Sequence, residues 1–335
     1  MQNEIARKKK DLIAMKKQFN SVKKNRFCFF VIFFLCIYCL GTISSKTVSK
    51  HNAVTYTFSG GRFGDNLLAY MRAKWVSYKY NMILLYKPFQ YSDQLVMDEQ
   101  EQKFSSKMQK KYTDIVTLTG KTVINKDQKK QVLYVLDFYK SNGFLRKHPI
   151  DWQDEDFIQE LRKFIAPKNA FAKMNLPEDR ISVAVHVRKG RYEGSEGRLR
   201  ELFPDKFMEE KYYIDQLKKV HQMFAGTPLY VYIFTDDSNP RSIKERFEKQ
   251  FTQDYNIQFD CRTSGNNHDS NVLYDFFAFN QFDCFIHGLS NFARCASCLA
   301  YNYLDIQPVF GRVDGKLVVT EVKFIENESL KPELI

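Results

Sequence analysis

The residues best suited to chemistry in this sequence stand at the end of an apolar run. The run Ile181–Val187 predicts a buried strand; it contains His186 and leads into Arg188, Lys189 and Gly190. Open α/β sheets bind ligands at the carboxyl ends of their strands, so these cations are expected to meet an anion there, with phosphate the commonest candidate. A solvated loop of basic residues is the alternative.

A second candidate is a glycine-rich loop. Three glycines and two polar residues stand between a predicted strand and a predicted helix: Gly60, Gly61, Gly64, Asp65 and Asn66. Glycines let the backbone approach a ligand closely, and a helix N-terminus offers N–H groups to an anion. The loop matches neither a P-loop nor the G-x-G-x-x-G pattern, and a purely structural turn is an equal alternative.

Two further clusters follow predicted strands. Asp236 and Asp237 come after the apolar residues 229–234. They could bind a metal, accept hydrogen bonds from guanine or ribose, or cap the next helix. Ser290 and Asn291 precede another predicted helix, where they could bind an anion or serve as N-caps.

Strands and helices alternate along the rest of the chain. Periodicity and turn residues predict strands at 54–58, 82–86, 132–136, 181–187, 229–234, 257–260, 284–287 and 309–310, and helices at 67–80, 154–165, 207–223, 240–251, 272–282 and 291–303. The alternation predicts an α/β protein with parallel sheets and right-handed crossovers. A segment with two prolines, 166–179, is expected to separate two domains, whereas residues 97–130 show no clear pattern.

The charge of the chain is concentrated at its N-terminus. The 335 residues carry a net charge of +12, of which the first 26 contribute +7. The remaining body, at about +5, is only mildly basic, which argues against a polyanion groove and a nucleic-acid partner. A chain of this length is sufficient for two domains.

An uncharged stretch after the basic tail predicts a membrane anchor. Residues 27–44 carry no charge, and the first 17 would span about 25 Å as a helix, the short end of a membrane span. The excess of Lys and Arg before this stretch predicts a cytoplasmic N-terminus, as in a single-pass type II protein held in the lipid bilayer. The body would then face the Golgi or ER lumen in a eukaryote, or lie across the inner membrane in a bacterium. A cleaved signal peptide is the alternative.

Four cysteines lie in the body of the chain: Cys261, Cys284, Cys295 and Cys298. In an oxidising lumen they could form two disulfides, and buried free thiols are the alternative. A zinc site is less favoured, because the pair Cys295 and Cys298 lacks a second pair at zinc-ribbon spacing.

The order and spacing of these clusters resemble the fucosyltransferase superfamily, which contains the α-1,2-, α-1,6- and protein O-fucosyltransferases. The family's His-x-Arg-x-Gly-Asp-Tyr block is similar to residues 186–192, and its Ser/Thr-Asp-Asp block to residues 235–237. Its early Gly-Gly-x-Gly-Asn-Gln loop resembles residues 60–66, most closely in the style of the α-1,2 branch. Its Ser-Asn-Ser-x-Phe-Ser block resembles residues 289–293. The resemblance covers most of residues 54–312.

The resemblance implies a GT-B-like fold, with two Rossmann-like domains behind one N-terminal transmembrane helix. The implied divisions are a basic cytoplasmic tail at 1–26, a signal-anchor at 27–44, a stem at 45–53, an acceptor-side domain at 54–175, a nucleotide-sugar domain at 176–312 and a C-terminal extension at 313–335. The implied activity is an inverting, metal-independent glycosyltransferase. It would move fucose from GDP-fucose, or a related nucleotide sugar, to a hydroxyl of a glycan or glycoprotein, without a separate cofactor.

The resemblance also implies roles for single residues. Arg188, helped by Lys189, would stabilise the charge on the leaving GDP. Asp236 or Asp237 would bind guanine or ribose, and Ser290 a phosphate oxygen. The full donor-binding set is Gly60, Gly61, Gly64, Asn66, His186, Arg188, Lys189, Gly190, Asp236, Asp237, Ser290 and Asn291.

The acceptor hydroxyl needs a base, and Asp65 or Glu193 is the candidate. Three positions depart from the family's blocks: Arg191 replaces an acidic residue, Asp65 replaces an asparagine, and Phe292 follows Asn291 without the second hydroxyl. These departures motivate an alternative function, a catalytically inactive relative that binds a carbohydrate or nucleotide. An unrelated membrane-anchored hydrolase or phosphatase is disfavoured, because the sequence lacks a G-x-S-x-G elbow and a dense cluster of metal ligands.

Overall fold

Two sheets flanked by helices position the clusters described above. The computed structural model describes residues 52–125, 131–190, 201–252, 255–263, 266–267, 269–314 and 316–327. Residues 52–136 supply the strands of the first sheet, and residues 181–326 supply those of the second.

The first sheet is parallel. Its strands are β1 (Asn52–Tyr56), β2 (Ile83–Tyr86), β3 (Gln102–Lys103), β4 (Asp114–Thr117) and β5 (Val132–Leu136), in the spatial order β3-β2-β1-β5-β4. Its helices are α1 (Phe63–Tyr80), α2 (Met97–Gln100), α3 (Ser106–Gln109), α4 (Asn142–Lys147) and α5 (Glu155–Ile165). Every residue of β1 is buried, as expected for a central strand covered on both faces.

The second sheet is parallel except at one edge. Its strands are β6 (Ile181–Val187), β7 (Leu229–Thr235), β8 (Ile257–Cys261), β9 (Cys284–His287), β10 (Leu304–Val313) and β11 (Lys316–Glu326), in the order β11-β10-β9-β6-β7-β8. Its helices are α6 (Glu210–Met223), α7 (Pro240–Glu248), α8 (Val272–Ala278) and α9 (Asn291–Leu299). Strands β10 and β11 form an antiparallel hairpin.

In each sheet the order in which successive strands are added reverses at a central strand. In the second sheet β6 lies between β7 and β9, and in the first sheet β1 lies between β2 and β5. The connections on the two sides of such a strand run in opposite directions, which opens a crevice at the carboxyl ends of the strands. The molecule therefore has two places where an α/β sheet is suited to bind a ligand.

An aromatic core joins the start of α1 to the second sheet. The Phe63 ring lies edge-on to Phe276 of α8, with ring centres 5.4 Å apart, and 6.2 Å from the ring of Phe292 in α9. Phe279 stacks on Phe285 of β9 with ring centres 4.5 Å apart. This packing fixes the first turns of α1 and α9 side by side.

Several predicted elements coincide with the observed ones. The α/β class with parallel sheets is confirmed, and the strands at 132–136, 181–187 and 284–287 have the predicted bounds. The helix predicted at 291–303 instead ends at Leu299, because Ala300 is extended. The side chain of Asn302 then donates hydrogen bonds to the backbone carbonyls of Phe279 and Phe282.

Other elements depart from the prediction. The sequence pattern misses α4, β11 and the short elements within 97–130. Within the predicted C-terminal extension at 313–335, residues 316–326 form β11, which pairs with β10 along its length in the second sheet. The predicted stem at 45–53 overlaps β1, which begins at Asn52.

The basic tail and the predicted signal-anchor lie outside the described residues, as do Arg191 and Glu193. Within the described ranges, no helix has both the length and the apolar character needed to cross a membrane. The division between residues 175 and 176 stays a prediction.

Candidate functional site

A cleft opens where the carboxyl ends of β6 and β7 meet the first turns of α1 and α9. It is lined by six of the residues singled out from the sequence: Gly64, Asp65, His186, Arg188, Asp236 and Asn291. Its volume is about 110 Å³, below the roughly 300–1,000 Å³ of typical ligand pockets. A ligand of nucleotide size would therefore extend past the mouth of the cleft.

Arg188, which follows β6, brings its guanidinium to the cleft, with the guanidinium carbon 5.2 Å from the centre of the Phe207 ring. Its Nε atom is buried and has no hydrogen-bond partner among the described residues. Burial lowers the pKa of Arg188, the neighbouring Asp236 raises it, and Arg62 lowers it again. An arginine nevertheless stays protonated in a protein. A buried cation with an unused donor is suited to an anionic ligand.

Arg62, the residue before α1, is a second cation in the lining. No ion pair joins Arg62 or Arg188 to a carboxylate in the part of the chain that the structure describes. An anion between the two guanidinium groups would relieve their repulsion. The first turn of α1 has no side-chain cap, so its N–H groups add to the positive potential.

The loop that carries Arg188 is held by Asp236 at the end of β7. The Asp236 carboxylate accepts hydrogen bonds from the backbone N–H groups of Lys189 at 2.7 Å and Gly190 at 3.3 Å. Gly190 has a φ of 102°, a conformation that residues with a side chain rarely adopt. The structure thus gives Asp236 a positioning contact, in addition to its place in the lining.

Lys189 does not line the cleft. Its Nζ atom donates to Oε1 of Glu210 at 2.7 Å, and Glu210 also accepts hydrogen bonds from Arg246. Burial raises the pKa of Glu210, but the hydrogen bonds from Arg246 and Lys189 outweigh it and lower the pKa to about 2. The ammonium of Lys189 is therefore paired with a permanent carboxylate at neutral pH.

His186 lines the cleft beside Arg188 as a neutral imidazole. Burial, Arg188 and His287 together lower the pKa of His186 to about 3. Its ring lies 5.6 Å from the ring centres of both Phe279 and Phe292. At neutral pH His186 can donate or accept a hydrogen bond, but it adds no charge.

Asp65 and Asn291 join the two halves of the cleft. Nδ2 of Asn291 donates to Oδ1 of Asp65 at 2.6 Å, from α9 to α1. A Cβ atom at Gly61 would collide with the Asp65 carboxylate, so the glycine leaves room for it. These contacts fix the orientation of Asp65 in the cleft.

The glycines of the early loop have mainly structural roles. A Cβ atom at Gly64 would lie 2.6 Å from the Cα atom of Phe292, so α1 and α9 approach this closely only because the residue is glycine. Gly60, with a φ of 83°, and Gly61 shape the turn and do not line the cleft. Asn66 does not line it either; its Oδ1 atom is buried without a partner among the described residues.

Asp237 and Ser290 make local contacts with the backbone and lie outside the cleft lining. Oδ1 of Asp237 accepts a hydrogen bond from the backbone of Asn239 at 2.7 Å, and Asn239 in turn caps α7. The Ser290 hydroxyl accepts one from the backbone of Ala293 at 3.2 Å, as the N-cap of α9.

Other residues reach the cleft through the tertiary fold. Besides Arg62, the lining residues missed from the sequence include Gln90, Tyr91, Lys206, Asn267, Asp269, Ser270 and Asp275. Arg62 carried a usable signal, since it is a cation at the start of a helix inside the glycine-rich loop. The others come from separate loops and, for Asp275, from α8, and no local pattern connects these segments.

One wall of the cleft contains a partly buried ion pair. Arg262 donates hydrogen bonds to both carboxylate oxygens of Asp275. Burial raises the pKa of Asp275, and the contact with Arg262 lowers it in part. The Tyr91 hydroxyl donates to the backbone carbonyl of Asp269 at 2.8 Å, which ties the first half of the chain to this wall.

The cysteines of the body are free thiols: Cys261, Cys284, Cys295 and Cys298. The four thiols are therefore unbonded, which agrees with the alternative of buried free thiols and not with two disulfides. Burial raises the pKa of each thiol, to about 12 for Cys298. No group of three or more potential metal ligands occurs among the described residues.

Comparisons with known proteins give structural likeness only. No protein-family model and no curated protein sequence matches the chain. Among solved structures it is similar to a mutant of Arabidopsis thaliana FUT1 in complex with GDP, with 13% identity, a TM-score of 0.47 and coverage of 79% of this chain and 72% of the other. It is also similar to POFUT1 in complex with GDP-fucose, with 12% identity, a TM-score of 0.38 and coverage of 77% and 97%. TM-scores below 0.5 do not establish a common fold, so the function has to rest on the chemistry of the cleft.

Proposed function

We propose that this chain is a glycosyltransferase that transfers fucose from GDP-fucose to a hydroxyl of a glycan or glycoprotein. The observation that carries the proposal is Arg188, a buried guanidinium with an unused Nε donor in a cleft at the carboxyl ends of parallel strands. The resemblance of residues 186–192 to the His-x-Arg-x-Gly-Asp-Tyr block supports the choice of donor.

Arg188 and Arg62 are the residues suited to bind the diphosphate. A guanidinium presents a fixed fork of N–H donors that matches two phosphate oxygens, and hydrogen bonds between charged groups are stronger than neutral ones. A diphosphate between the two arginines would satisfy the Nε donor of Arg188 and relieve the repulsion between the two cations.

The same cations suit the transfer step. As the bond between sugar and phosphate breaks, negative charge grows on the departing GDP, and positive charge held in place stabilises that transition state. Two guanidinium groups would supply the charge that a divalent cation supplies in other enzymes. His186, neutral beside them, adds a hydrogen bond without a further charge.

Asp65 is the proposed base for the acceptor hydroxyl. Asn291 holds one of its carboxylate oxygens, which leaves Oδ2 to accept the hydroxyl proton. In an inverting transfer the base lies on the side of the sugar opposite the leaving group. The cleft is suited to this arrangement, because Asp65 belongs to α1 whereas Arg188 follows β6.

The test is nucleotide binding by the full chain in detergent, measured by calorimetry with GDP, GDP-fucose, GDP-mannose and UDP-glucose. We expect guanine nucleotides to bind in the presence of EDTA. We expect Arg188→Ala to raise the Kd for GDP about tenfold to a hundredfold, because each charge-assisted hydrogen bond contributes about 1.5–3 kcal/mol. Arg241→Ala removes the same charge from the exposed surface of α7 and is the matched control.

The outcomes of this test separate the parts of the proposal. Failure to bind any guanine nucleotide contradicts it as a whole. Binding of GDP-fucose without hydrolysis, and without transfer to a broad acceptor panel, contradicts the enzymatic part and leaves a nucleotide-binding module.

The proposal includes a membrane anchor at residues 27–44, with the body in the Golgi or ER lumen of a eukaryote. The uncharged stretch after a basic tail supports this orientation. Protease added to sealed microsomes is expected to remove only the N-terminal tail. Digestion of the body before detergent is added would contradict the orientation.

A further inference from the structure

A second crevice lies at the reversal point of the first sheet. It is lined by Thr57 after β1, by Leu136, Asp137 and Phe138 at the end of β5, by Ala69 and Arg72 of α1, and by Leu145 of α4. This is the place in an open α/β sheet where ligands bind, and the functional residues proposed above lie outside it. The crevice is therefore a separate candidate site.

Arg72 is the cation of this crevice. It is partly buried, and among the described residues it has no ion pair or hydrogen bond. Its guanidinium carbon lies 5.4 Å from the centre of the Phe138 ring. Burial lowers the pKa of Arg72, and the nearby Arg294 lowers it further. Arg294 does not line the crevice, so it is Arg72, without a paired carboxylate among the described residues, that makes the crevice suited to an anion.

Asp137, the acid in the crevice lining, is already engaged. Its Oδ1 atom accepts hydrogen bonds from the backbone N–H groups of Tyr139 at 3.1 Å and Lys140 at 2.9 Å. The hydrogen bond from Lys140, which outweighs the effect of burial, lowers the pKa of Asp137. Its charge stabilises its own turn and is not paired with Arg72.

The size of the crevice limits what can enter. Its volume is about 10 Å³, roughly the space for one water molecule, so it can admit one oxygen atom of a charged group that belongs to a larger ligand. The rest of that ligand would lie outside, where Tyr139 is 66% exposed. The Tyr139 hydroxyl donates to the backbone carbonyl of Ser59 at 2.8 Å, and its ring centre lies 5.3 Å from that of Phe138. The tyrosine thus offers a fixed aromatic surface beside the crevice.

We propose that this crevice recognises an acidic sugar unit of the acceptor, with its carboxylate at Arg72 and its ring against Tyr139. Asp65 and Arg72 are seven residues apart in α1, so they lie on nearly the same side of the helix and about 10 Å apart along its axis. A saccharide of one or two units can span this distance. The role in acceptor selection rests on the proposed function, whereas binding of the acidic sugar does not.

The experiment measures binding of methyl glucuronide, methyl glucoside and inorganic sulfate to the full chain in detergent, with and without GDP. We expect the glucuronide to bind at least tenfold more tightly than the glucoside. Arg72→Gln is expected to abolish this difference, and Arg72→Lys to retain part of it. Arg146→Ala, which removes an exposed cation from α4, is the matched control and should leave it unchanged. Circular dichroism of each variant establishes that it is folded.

Each outcome decides the inference. Equal affinity for the charged and neutral sugars, or an unchanged difference in both Arg72 variants, overturns it. The assignment to a sugar is overturned if sulfate binds as tightly as the glucuronide and Tyr139→Ala leaves the affinity for the glucuronide unchanged. Those two results together would show a site for a bare anion. GDP affinity, measured on the same samples, should stay within twofold in Arg72→Gln. If the unmodified chain does not bind GDP, the proposed function is contradicted. Whether the crevice binds an acidic sugar is then decided by the glucuronide measurement alone.

Discussion

At the scale of single residues, Arg188 and Lys189 are neighbours in sequence with opposite surroundings. The guanidinium of Arg188 has an unused buried donor, whereas Nζ of Lys189 lies 2.7 Å from Glu210. We expect Lys189→Met to leave the Kd for GDP within twofold, although it removes a buried ion pair and should lower the stability of the fold. Calorimetry, at a temperature where each variant is folded, compares the Kd for GDP of Lys189→Met with that of Arg188→Ala. Equal losses of affinity would mean that Lys189 also binds the donor.

His186 makes a prediction about stability and pH. Its pKa is about 3 in the folded chain and about 6.5 when unfolded, so below pH 6.5 the unfolded chain binds the extra proton. The stability contributed by the neutral imidazole is complete above that pH and is lost as the pH falls. Between pH 7 and pH 5 the free energy of unfolding should fall by about 2 kcal/mol from this residue.

Urea unfolding at pH 7, 6 and 5 measures the effect, with His186→Gln as the variant that lacks the titrating group. The pH dependence of stability should be shallower in the variant by the stated amount. Glu210 has a pKa of about 2, so its effect on the pH dependence of stability falls below pH 5. Identical pH dependence in the two proteins would mean that His186 binds its proton equally well in the folded and unfolded states, which would contradict the lowered pKa.

The predictability of the site from sequence also differs residue by residue. His186 and Arg188 could be found because they stand two residues apart at the carboxyl end of β6, where strand alternation predicts that they point the same way, and both line the cleft. Asp237 and Ser290 have residue types that serve equally well as caps. Ser290 is the N-cap of α9, whereas Asp237 accepts a hydrogen bond from the backbone of Asn239, the residue that caps α7. Lys206 reaches the cleft from a loop and Asp275 from α8, and their proximity depends on packing that no local pattern encodes.

At the scale of elements, the contact between α1 and α9 depends on Gly64. A methyl group there would lie 2.6 Å from the Cα atom of Phe292, and a backbone atom cannot move aside as a flexible side chain can. We expect Gly64→Ala to cost about 1–3 kcal/mol of stability and to weaken GDP binding, because α1 and α9 would separate and the Asp65 contact to Asn291 would be lost.

Gly120→Ala is the control for this prediction, since a methyl group there would lie 3.4 Å from its nearest neighbour. Chemical unfolding and GDP titration of the two variants give the comparison. A Gly64→Ala protein with unchanged stability and affinity would show that the two helices can separate without affecting the site.

Elements were predictable from sequence where burial was complete. Strand β6 is almost wholly buried and appears in the sequence as an apolar run with clear ends. Strand β11 is largely exposed, and its apolar residues do not form one uninterrupted buried run, although it pairs with β10 along its whole length. Helix α9 was predicted too long, because the apolar residues after Leu299 continue a helical pattern that Asn302 ends through tertiary hydrogen bonds.

At the scale of the whole molecule, residues of both sheets border the cleft, and residues 49–327 form one compact unit. A ligand that binds only the folded chain must therefore stabilise the unit as a whole. At a GDP concentration one hundred times the Kd, the gain is about 2.7 kcal/mol. For a unit of this size that gain should raise the Tm by about 5 °C.

Differential scanning calorimetry with and without GDP tests this expectation on the same chain and its variants. Arg188→Ala at the same GDP concentration should show a shift of about 2 °C or less, because a tenfold weaker Kd leaves only about 1.4 kcal/mol of stabilisation. Arg241→Ala should keep the full shift, since its charge lies outside the cleft. The whole transition should move, because the cleft joins the two sheets and neither half can unfold without destroying it. A shift confined to one of two resolved transitions would instead show that GDP is bound by a single sheet, with Arg62 and Asp65 of the first half making no contribution to affinity.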